Sequence, residues 1–166
     1  MQYEYCPVCG KKLKKKYSFD EGEVPYCEYD DIMFFDTPKP CIIVAVIREN
    51  YILLLEQNYT FKDSKVLVSG YVKNGETIEE TVIREVKEEV GIDVKKPEYL
   101  GSYYLDSKEI IMITFMAEYS SGEITKSSEV DGAYWVSMKN VLHEMNEDKI
   151  GKAVVKKVFK RIGYNK

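Results

Sequence analysis

The sequence is poor in several features that define large classes of proteins. Its single histidine, His143, lies in a polar stretch, so there is no basis for a Ser-His-Asp or Cys-His catalytic arrangement. No apolar run approaches the roughly 18 residues that a membrane-spanning helix needs. A formal net charge of −4 argues against a general nucleic-acid binder. Because MQYEYCPVCG lacks the shape of a signal peptide, we expect a cytoplasmic protein.

Cysteine is also scarce, and its distribution divides the chain. Cys6, Cys9 and Cys27 lie in a polar stretch rich in turn-forming residues. In a reducing compartment, such close spacing indicates a metal site more than disulfides. The TPKPC segment then marks a boundary. We therefore predict a small element at 1–36 and a larger domain at 37–166.

After this boundary, apolar segments of strand length alternate with a few helical patterns. Strands are predicted at 41–47, 51–57, 65–72, 97–105, 109–119 and 132–138, and helices at 77–90, about 138–147 and about 150–162. The third strand is expected to break at Gly70, and the REN tripeptide favours a hairpin between the first two strands. Strands that mostly pair with neighbours, interrupted by a few helices, predict an α/β layered domain.

The helix predicted at 77–90 has defined ends and one apolar face. Thr77 and Glu80 have the spacing of a capping box, and Gly91 stands where a left-handed residue ends a helix. Aliphatic residues recur every four positions and form a stripe that faces the core: Ile78, Val82, Val86 and Val90.

Three glutamates crowd another part of this helix surface. At about 100° per residue, Glu85, Glu88 and Glu89 fall within an arc of roughly 100°, and Glu89 projects toward the edge of the apolar stripe. Carboxylates this close repel one another, and a partly buried one is costly without a partner. A divalent cation would remove that cost, and hard oxygen ligands favour Mg²⁺ or Mn²⁺. Arg84, one turn before Glu88, can also hold a carboxylate in place. The alternative is an ordinary solvated, charged helix face.

The positions around these glutamates favour the metal site. The spaced residues are Gly70, Glu76, Arg84, Glu85, Val86, Glu88, Glu89, Gly91 and Ile92. They resemble the Nudix box, G-x5-E-x7-R-E-U-x-E-E-x-G-U with U aliphatic, at every fixed position. The resemblance implies the Nudix fold, a mixed β-sheet sandwiched between helices. It also implies hydrolysis of a diphosphate linked to a nucleoside or a similar group.

The resemblance further implies roles for these residues. Glu85, Glu88 and Glu89 would hold one or more Mg²⁺ ions, which neutralise the diphosphate and lower the pKa of an attacking water. Arg84 would complete the catalytic set, and either Glu85 or a downstream glutamate would act as the base. Glu76 would support the geometry between loop and helix.

Two positions in the box point to substrate binding. Gly70 would let the backbone approach the pyrophosphate, where a side chain would intrude. Tyr71 stands where an aromatic residue stacks on a flat ring in one branch of the family, and a place in the core or at its rim is the alternative.

That branch is the NADH pyrophosphatases, which the chain resembles from about Cys6 to Trp135 through the segments PCIIVA, GYVKNGET and FMAEYSSGEI. In the branch, another metal-ligating glutamate lies six residues before a tryptophan, a position that Glu129 holds here. A surface loop residue is the alternative for Glu129. The branch also implies a homodimer, with Phe34 and Phe35 facing the dimer partner or a base.

A zinc ribbon precedes the catalytic domain in this branch. Cys6 and Cys9 form one C-x2-C pair, and Cys27 begins a second in which Asp30 takes the last position. The resemblance implies a structural Zn²⁺ on these four residues, and a ribbon without metal is the alternative. The rival ligand Cys41 starts a buried strand, where cysteine acts as a small apolar residue. The KKLKKK run is expected in the ribbon's solvated turn, with RNA contact as the alternative.

The substrate stays open, because the segment SYYLDSKEI matches only the first serine of the branch's Ser-Gln-Pro-Trp-Pro-Phe-Pro-x-Ser motif. The sequence predicts a Mg²⁺-dependent Nudix pyrophosphohydrolase acting on NADH, NAD, ADP-ribose or a similar nucleoside diphosphate-linked compound. The alternatives are a non-catalytic Nudix ligand sensor and an enzyme that processes the 5′ cap of RNA, including an NAD cap.

Overall fold

The computed structural model describes residues 3–57 and 64–164. The chain divides into two compact units, Met1–Pro38 and Lys39–Lys166. The predicted division after residue 36 lies close to this one. No helix in the described residues is long and apolar enough to cross a membrane.

The first unit is a three-stranded antiparallel sheet in the order β1-β2-β3: β1 Lys14–Ser18, β2 Gly22–Cys27 and β3 Ile32–Met33. Its described residues bury few apolar side chains, namely Cys6, Val24 and Cys27. Two of these three are cysteines. A unit with so small an apolar core needs another source of stability, such as a structural metal.

The described residues of the second unit form seven strands and three helices. The strands are β4 Lys39–Arg48, β5 Tyr51–Glu56, β6 Lys65–Val66, β7 Val68–Tyr71, β8 Asp93–Leu105, β9 Ile110–Ser121 and β10 Gly132–Ser137. The helices are α1 Ile78–Val90, α2 Val141–Glu144 and α3 Lys149–Ile162, and a 3-10 turn spans Asp106–Lys108. The α/β architecture predicted from the sequence is confirmed.

The sheet runs in the order β10-β5-β4-β9-β8 and is mixed, because β4 and β9 are parallel while the other pairs are antiparallel. As the REN tripeptide predicts, β4 and β5 form a hairpin, in which Arg48 pairs with Tyr51. Away from that turn, β4 pairs with β7 and β5 pairs with β6. The sheet thus takes in an extra pair of short strands at the end far from the hairpin.

Two sequence predictions need correction here. The strand expected at 65–72 is two short strands, and it does not break at Gly70, which pairs with Ile42 inside β7. The helix expected at 138–147 is only the four residues of α2. Its apolar residues still face the core, but Asp148 caps the start of α3 and so ends the possible helical run.

Both faces of the sheet are covered. Alternate residues of β4 point to opposite sides, so Ile42, Val44 and Val46 pack with the apolar stripe of α1. Ile43 and Ala45 pack with residues of α2 and α3 on the other side. The sheet therefore lies between helices, and a strand buried on both faces reads as the continuous apolar run CIIVAVI.

Candidate active site and metal centre

Helix α1 begins and ends at the residues that the sequence predicts. The Glu80 N–H donates to Thr77 Oγ1 at 3.2 Å, and the Thr77 N–H donates to Glu80 Oε2 at 2.7 Å. Gly91 closes the helix in the left-handed conformation, at φ 73°. With Val82 and Val86 fully buried, the orientation of the helix relative to the sheet is fixed, and so is the placement of its glutamates.

Arg84 joins the loop before α1 to the helix itself. Its guanidinium binds both oxygens of Glu76, with Nε to Oε2 at 2.8 Å and Nη2 to Oε1 at 2.6 Å. Nη1 donates to Glu85 at 2.6 Å and to Glu88 at 2.9 Å. Glu76 also accepts the Lys73 N–H at 2.6 Å, and the Arg84 guanidinium lowers the pKa of Glu76 to about 2. The geometry supports the expected role of Glu76 in shaping the loop.

Gly70 makes room for Glu85. A Cβ atom at residue 70 would lie 1.9 Å from the Glu85 carboxyl carbon, so any side chain there would displace this carboxylate. Glu85 is half-buried, and burial is the main cause that raises its pKa. Glycine is therefore needed at position 70 to leave space for the Glu85 carboxylate. The spacing of the box does not by itself predict this contact.

Glu89 is the most unusual of the three glutamates, since only 6% of it is exposed. Its Oε1 accepts a hydrogen bond from Gln57 Nε2 at 3.4 Å, whereas its buried Oε2 has no hydrogen-bond partner among the described residues. Burial first, then the charges of Glu85 and Glu129, raise its pKa to about 8. A divalent cation would offset each of these costs, so this donor set fits Mg²⁺ or Mn²⁺.

Glu88 is in a different electrostatic state. It is half-exposed and accepts from Arg84 and from Lys73, whose Nζ lies 3.4 Å from both of its oxygens. The hydrogen bond from Arg84 is the main cause that lowers its pKa; burial opposes it, and the hydrogen bond from Lys73 lowers the pKa further. The structure thus brings Glu85, Glu88 and Glu89 to one edge of the helix with unequal compensation of their charges.

Glu129 joins this cluster from the loop between β9 and β10. The loop is tied to the end of α1 by two backbone hydrogen bonds, from Thr125 N–H to Val90 O and from Ser127 N–H to Glu89 O, both at 2.9 Å. Glu129 is exposed yet close enough that its charge helps to raise the pKa of Glu89. A metal-facing position for Glu129 is compatible with this placement.

A second cluster lies in the first unit. The ligand atoms of Cys6, Cys9, Cys27 and Asp30 all lie within 4.8 Å of one another. Asp30 Oδ2 accepts from Cys6 Sγ at 3.2 Å and from Cys27 Sγ at 3.1 Å, and hydrogen bonds from thiols lower the pKa of Asp30. Three sulfur donors and one carboxylate in this space fit a tetrahedral Zn²⁺.

The two halves of this cluster are built alike. A backbone N–H donates to sulfur in each, from Val8 to Cys6 Sγ at 3.4 Å and from Asp30 to Cys27 Sγ at 3.5 Å. The residue after each half is left-handed, Gly10 at φ 73° and Asp31 at φ 53°. The CEYD segment therefore adopts a turn similar to that of CPVC, with a carboxylate as the last donor.

The structure bears on two alternatives raised by the sequence, Cys41 as a zinc ligand and RNA contact by the basic run. Cys41 is buried in β4 and donates to its neighbour's carbonyl, so it does not belong to the cluster. Three lysines of the basic run are each paired with an acidic residue: Lys14 with Glu28, Lys15 with Glu23 and Lys16 with Asp31. These lysines lie in β1 instead of in the expected turn, and because their ion pairs are exposed, their positive charge is only partly offset.

Sequence reasoning missed Gln57 and Lys73. The sequence predicts only a strand position for Gln57, and its place after Glu56, two residues beyond the apolar run YILLL, does not predict that its side chain is buried. Lys73 lies in the five positions that the box leaves free, and nothing in its spacing predicted a contact with Glu88.

The fold and this site together describe an α/β protein whose candidate functional groups are carboxylates on one helix, set against a glycine in the adjoining strand. The NUDIX domain family model matches residues 37–157. The chain therefore belongs to the Nudix family.

Comparisons with individual proteins agree. The chain is 32% identical over 162 residues to the NAD-capped RNA hydrolase NudC of Vibrio parahaemolyticus, covering 95% of this chain and 60% of that protein. It is 35% identical over 134 residues to NudC of Escherichia coli O1:K1, covering 80% of this chain and 51% of that protein. The chain thus spans about half to three fifths of the curated relatives that it matches.

Solved structures share the fold. A NUDIX hydrolase from Nitrosomonas europaea superposes with a TM-score of 0.80 at 17% identity, over 97% of this chain and 94% of that one. The NUDIX domain of Shewanella oneidensis NrtR, crystallised with ADP ribose, superposes with a TM-score of 0.66 at 15% identity, over 82% of this chain and 94% of that one.

Proposed function

We propose that this chain is a Mg²⁺- or Mn²⁺-dependent hydrolase that cleaves the pyrophosphate bond of NAD, NADH, ADP-ribose or a similar nucleoside diphosphate-linked compound. The observation that carries the proposal is Glu89, a buried carboxylate with an unpartnered oxygen near Glu85 and Glu129. Membership of the Nudix family and relatives named as NAD-capped RNA hydrolases support it.

The proposed metal ligands are Glu85, Glu88, Glu89 and Glu129. When bound, the cation would neutralise the diphosphate and lower the pKa of the attacking water. Arg84 holds Glu85 and Glu88 in place, and its own pKa is raised by its hydrogen bonds with Glu76, so it stays charged. Gly70 leaves space for the Glu85 carboxylate beside the substrate.

Tyr71 is the proposed stacking residue. It ends β7 next to Gly70, and 52% of it is exposed, while its carbonyl oxygen accepts from Arg84 Nη2 at 3.0 Å. The backbone is therefore fixed and the ring is free to contact a ligand. Stacking contributes roughly 1–3 kcal/mol per base and tolerates any flat ring, so we propose a pocket with modest selectivity.

The test is a substrate screen with Mg²⁺ and Mn²⁺. NADH, NAD, ADP-ribose, diadenosine polyphosphates, a nucleotide sugar and an NAD-capped RNA are incubated with the protein, and the released monophosphates are measured. We expect turnover of more than one small molecule, with a preference for NADH below about a thousandfold, which corresponds to roughly 4 kcal/mol. Binding without hydrolysis of any compound would contradict the enzyme and support a ligand sensor.

Tyr71→Ala is run beside the wild type in this screen. We expect kcat/KM to fall by an amount equivalent to roughly 1–3 kcal/mol for ligands with a flat ring. Tyr51→Ala is the matched control, because Tyr51 is also a partly exposed tyrosine. Tyr51 begins β5 and pairs with Arg48 at the hairpin end of β4, whereas Tyr71 pairs with Cys41 near the opposite end of β4. Equal kinetics in wild type and Tyr71→Ala would exclude stacking.

We also propose that Cys6, Cys9, Cys27 and Asp30 bind a structural Zn²⁺. The proximity of their four donor atoms and the two similar turns support this assignment. The metal would stabilise a unit whose described residues bury little apolar surface.

A further inference from the structure

Lys73 lies in the active-site loop at a position that the Nudix box does not specify. Its backbone N–H donates to Glu76 Oε1 at 2.6 Å, which anchors the residue to the same carboxylate that binds Arg84. From this anchor the side chain reaches α1, where Nζ lies 3.4 Å from Oε1 and 3.4 Å from Oε2 of Glu88. The loop thus places an ammonium group on one of the proposed metal ligands.

The positive charge near the three glutamates is distributed unevenly. Glu88 accepts from two cations, Arg84 and Lys73. Glu85 binds Arg84 directly and lies within electrostatic range of Lys73. Glu89 has only the neutral amide of Gln57 as a hydrogen-bond donor among the described residues. The cationic side chains therefore compensate Glu88 most and Glu89 least.

The Lys73–Glu88 pair is poorly suited to a structural role. The two side chains are 60% and 52% exposed, and ion pairs this open to solvent contribute little to stability. The pair matters because a divalent cation at the site would bind the same Glu88 carboxylate. An ammonium group and a divalent cation cannot both sit against the same carboxylate oxygens without strong repulsion, and the same ammonium group also acts on Glu85.

We propose that Lys73 is a built-in competitor of the divalent cation for the Glu88 carboxylate, and that it thereby sets the metal affinity of the site. This inference rests on the proposed function, because it requires a metal on the glutamate cluster. Lys73 is a positioning residue: it acts through Glu88, holding this carboxylate until the metal displaces the ammonium group.

The experiment measures Mn²⁺ binding directly, by isothermal titration calorimetry on the full chain without substrate. Wild type, Lys73→Met, Glu88→Gln and the double variant form a cycle that isolates the interaction of the two side chains. Lys87→Met is the matched control. Lys87 is on the same helix and 53% exposed, but it pairs with Asp93 at 2.9 Å instead of with the cluster.

We expect Lys73→Met to tighten Mn²⁺ binding by roughly two- to fivefold, the range that an exposed ion pair spans. The gain should be clearly smaller in the Glu88→Gln background and absent in Lys87→Met. Unchanged or weaker binding in Lys73→Met overturns the proposal, as does equal tightening in Lys87→Met or an undiminished gain without Glu88. A wild-type chain that binds no Mn²⁺ at the glutamates overturns both this proposal and the proposed function, whereas normal wild-type binding with any of the preceding results overturns this one alone.

Discussion

At the scale of single residues, Glu89 links the proposed chemistry to the stability of the metal-free protein. Its pKa is about 8 in the folded chain and about 4.5 in the unfolded chain, so the folded state binds the proton more tightly. The contribution of Glu89 to stability is therefore largest below pH 4.5 and is lost as the pH rises toward 8. The loss should be on the order of a few kcal/mol, because each pKa unit corresponds to about 1.4 kcal/mol.

Glu89→Gln tests this relation. In the presence of a chelator, we expect the variant to melt at a higher temperature than wild type at pH 8 and to lose most of the decline in stability between pH 5 and 8. With Mg²⁺ and substrate, we expect its turnover to fall by orders of magnitude, because a metal ligand has lost its charge. Melting curves and initial rates provide the two measurements.

Glu79→Gln is the control, since Glu79 is exposed in the first turn of the same helix. A wild-type turnover rate in Glu89→Gln would refute the role of Glu89. If wild type and Glu89→Gln showed the same decline in stability between pH 5 and 8, a group other than Glu89 would be responsible for it.

Some features of these single residues could be predicted from the sequence, and others could not. The resemblance to the Nudix box singled out Gly70 and Arg84, and the helical period predicted that Glu85, Glu88 and Glu89 lie close together on one helix surface. Neither could show that Glu85 fills the space beside Gly70, or that Lys73 reaches Glu88, because these contacts cross between loop, strand and helix.

At the scale of elements, the start of α1 depends on one side chain. Thr77 Oγ1 accepts the Glu80 N–H, so Thr77→Ala should destabilise the protein by about 1 kcal/mol. For a chain of this size, that corresponds to a fall in melting temperature of roughly 2–4 °C. Thr77→Ser keeps the accepting oxygen and should stay within 1 °C or so of wild type. Equal melting temperatures for the two variants would show that the cap adds nothing to stability.

Elements with local signals were predicted well, and those that depend on distant partners were not. The ends of α1 follow from Thr77 and Glu80 at its start and Gly91 at its end, each of which contacts residues within about one helical turn. The predicted strand at 65–72 is divided at Leu67, where pairing changes from β5 to β4. Since every residue from Val66 to Val68 is buried, the apolar pattern gave no sign of that change.

At the scale of the whole molecule, the two units should differ in what holds them together. The second unit has an apolar core on each face of its sheet, whereas the first buries mainly two cysteines and a valine in its described residues. We expect purified protein to carry about one Zn²⁺ per chain. Removing it should abolish amide-exchange protection in residues 3–38 and leave the strands of the second unit protected.

Metal analysis and hydrogen exchange by mass spectrometry give the readout. The double change of Cys6 and Cys9 to Ser should remove the zinc, and Cys41→Ser should retain it, because Cys41 lies outside the cluster. Zinc content unchanged in the double variant, or absent from wild type, would contradict the assignment.

The parallel pairing of β4 with β9 has a consequence for how the molecule forms during synthesis. Ile42 pairs with Ile113, and the apolar surface on which α1 packs includes Phe115 and Ala117 of β9. The ribosome makes α1 before these two residues, so the helix emerges with only the part of its supporting surface that the strands before it, such as β4 and β5, supply. The segment between β4 and β9 must close into a long loop before the two strands can pair, and such closure is slow. We therefore expect the proposed metal ligands on this helix, Glu85, Glu88 and Glu89, to reach their final arrangement only after β9 has joined the sheet.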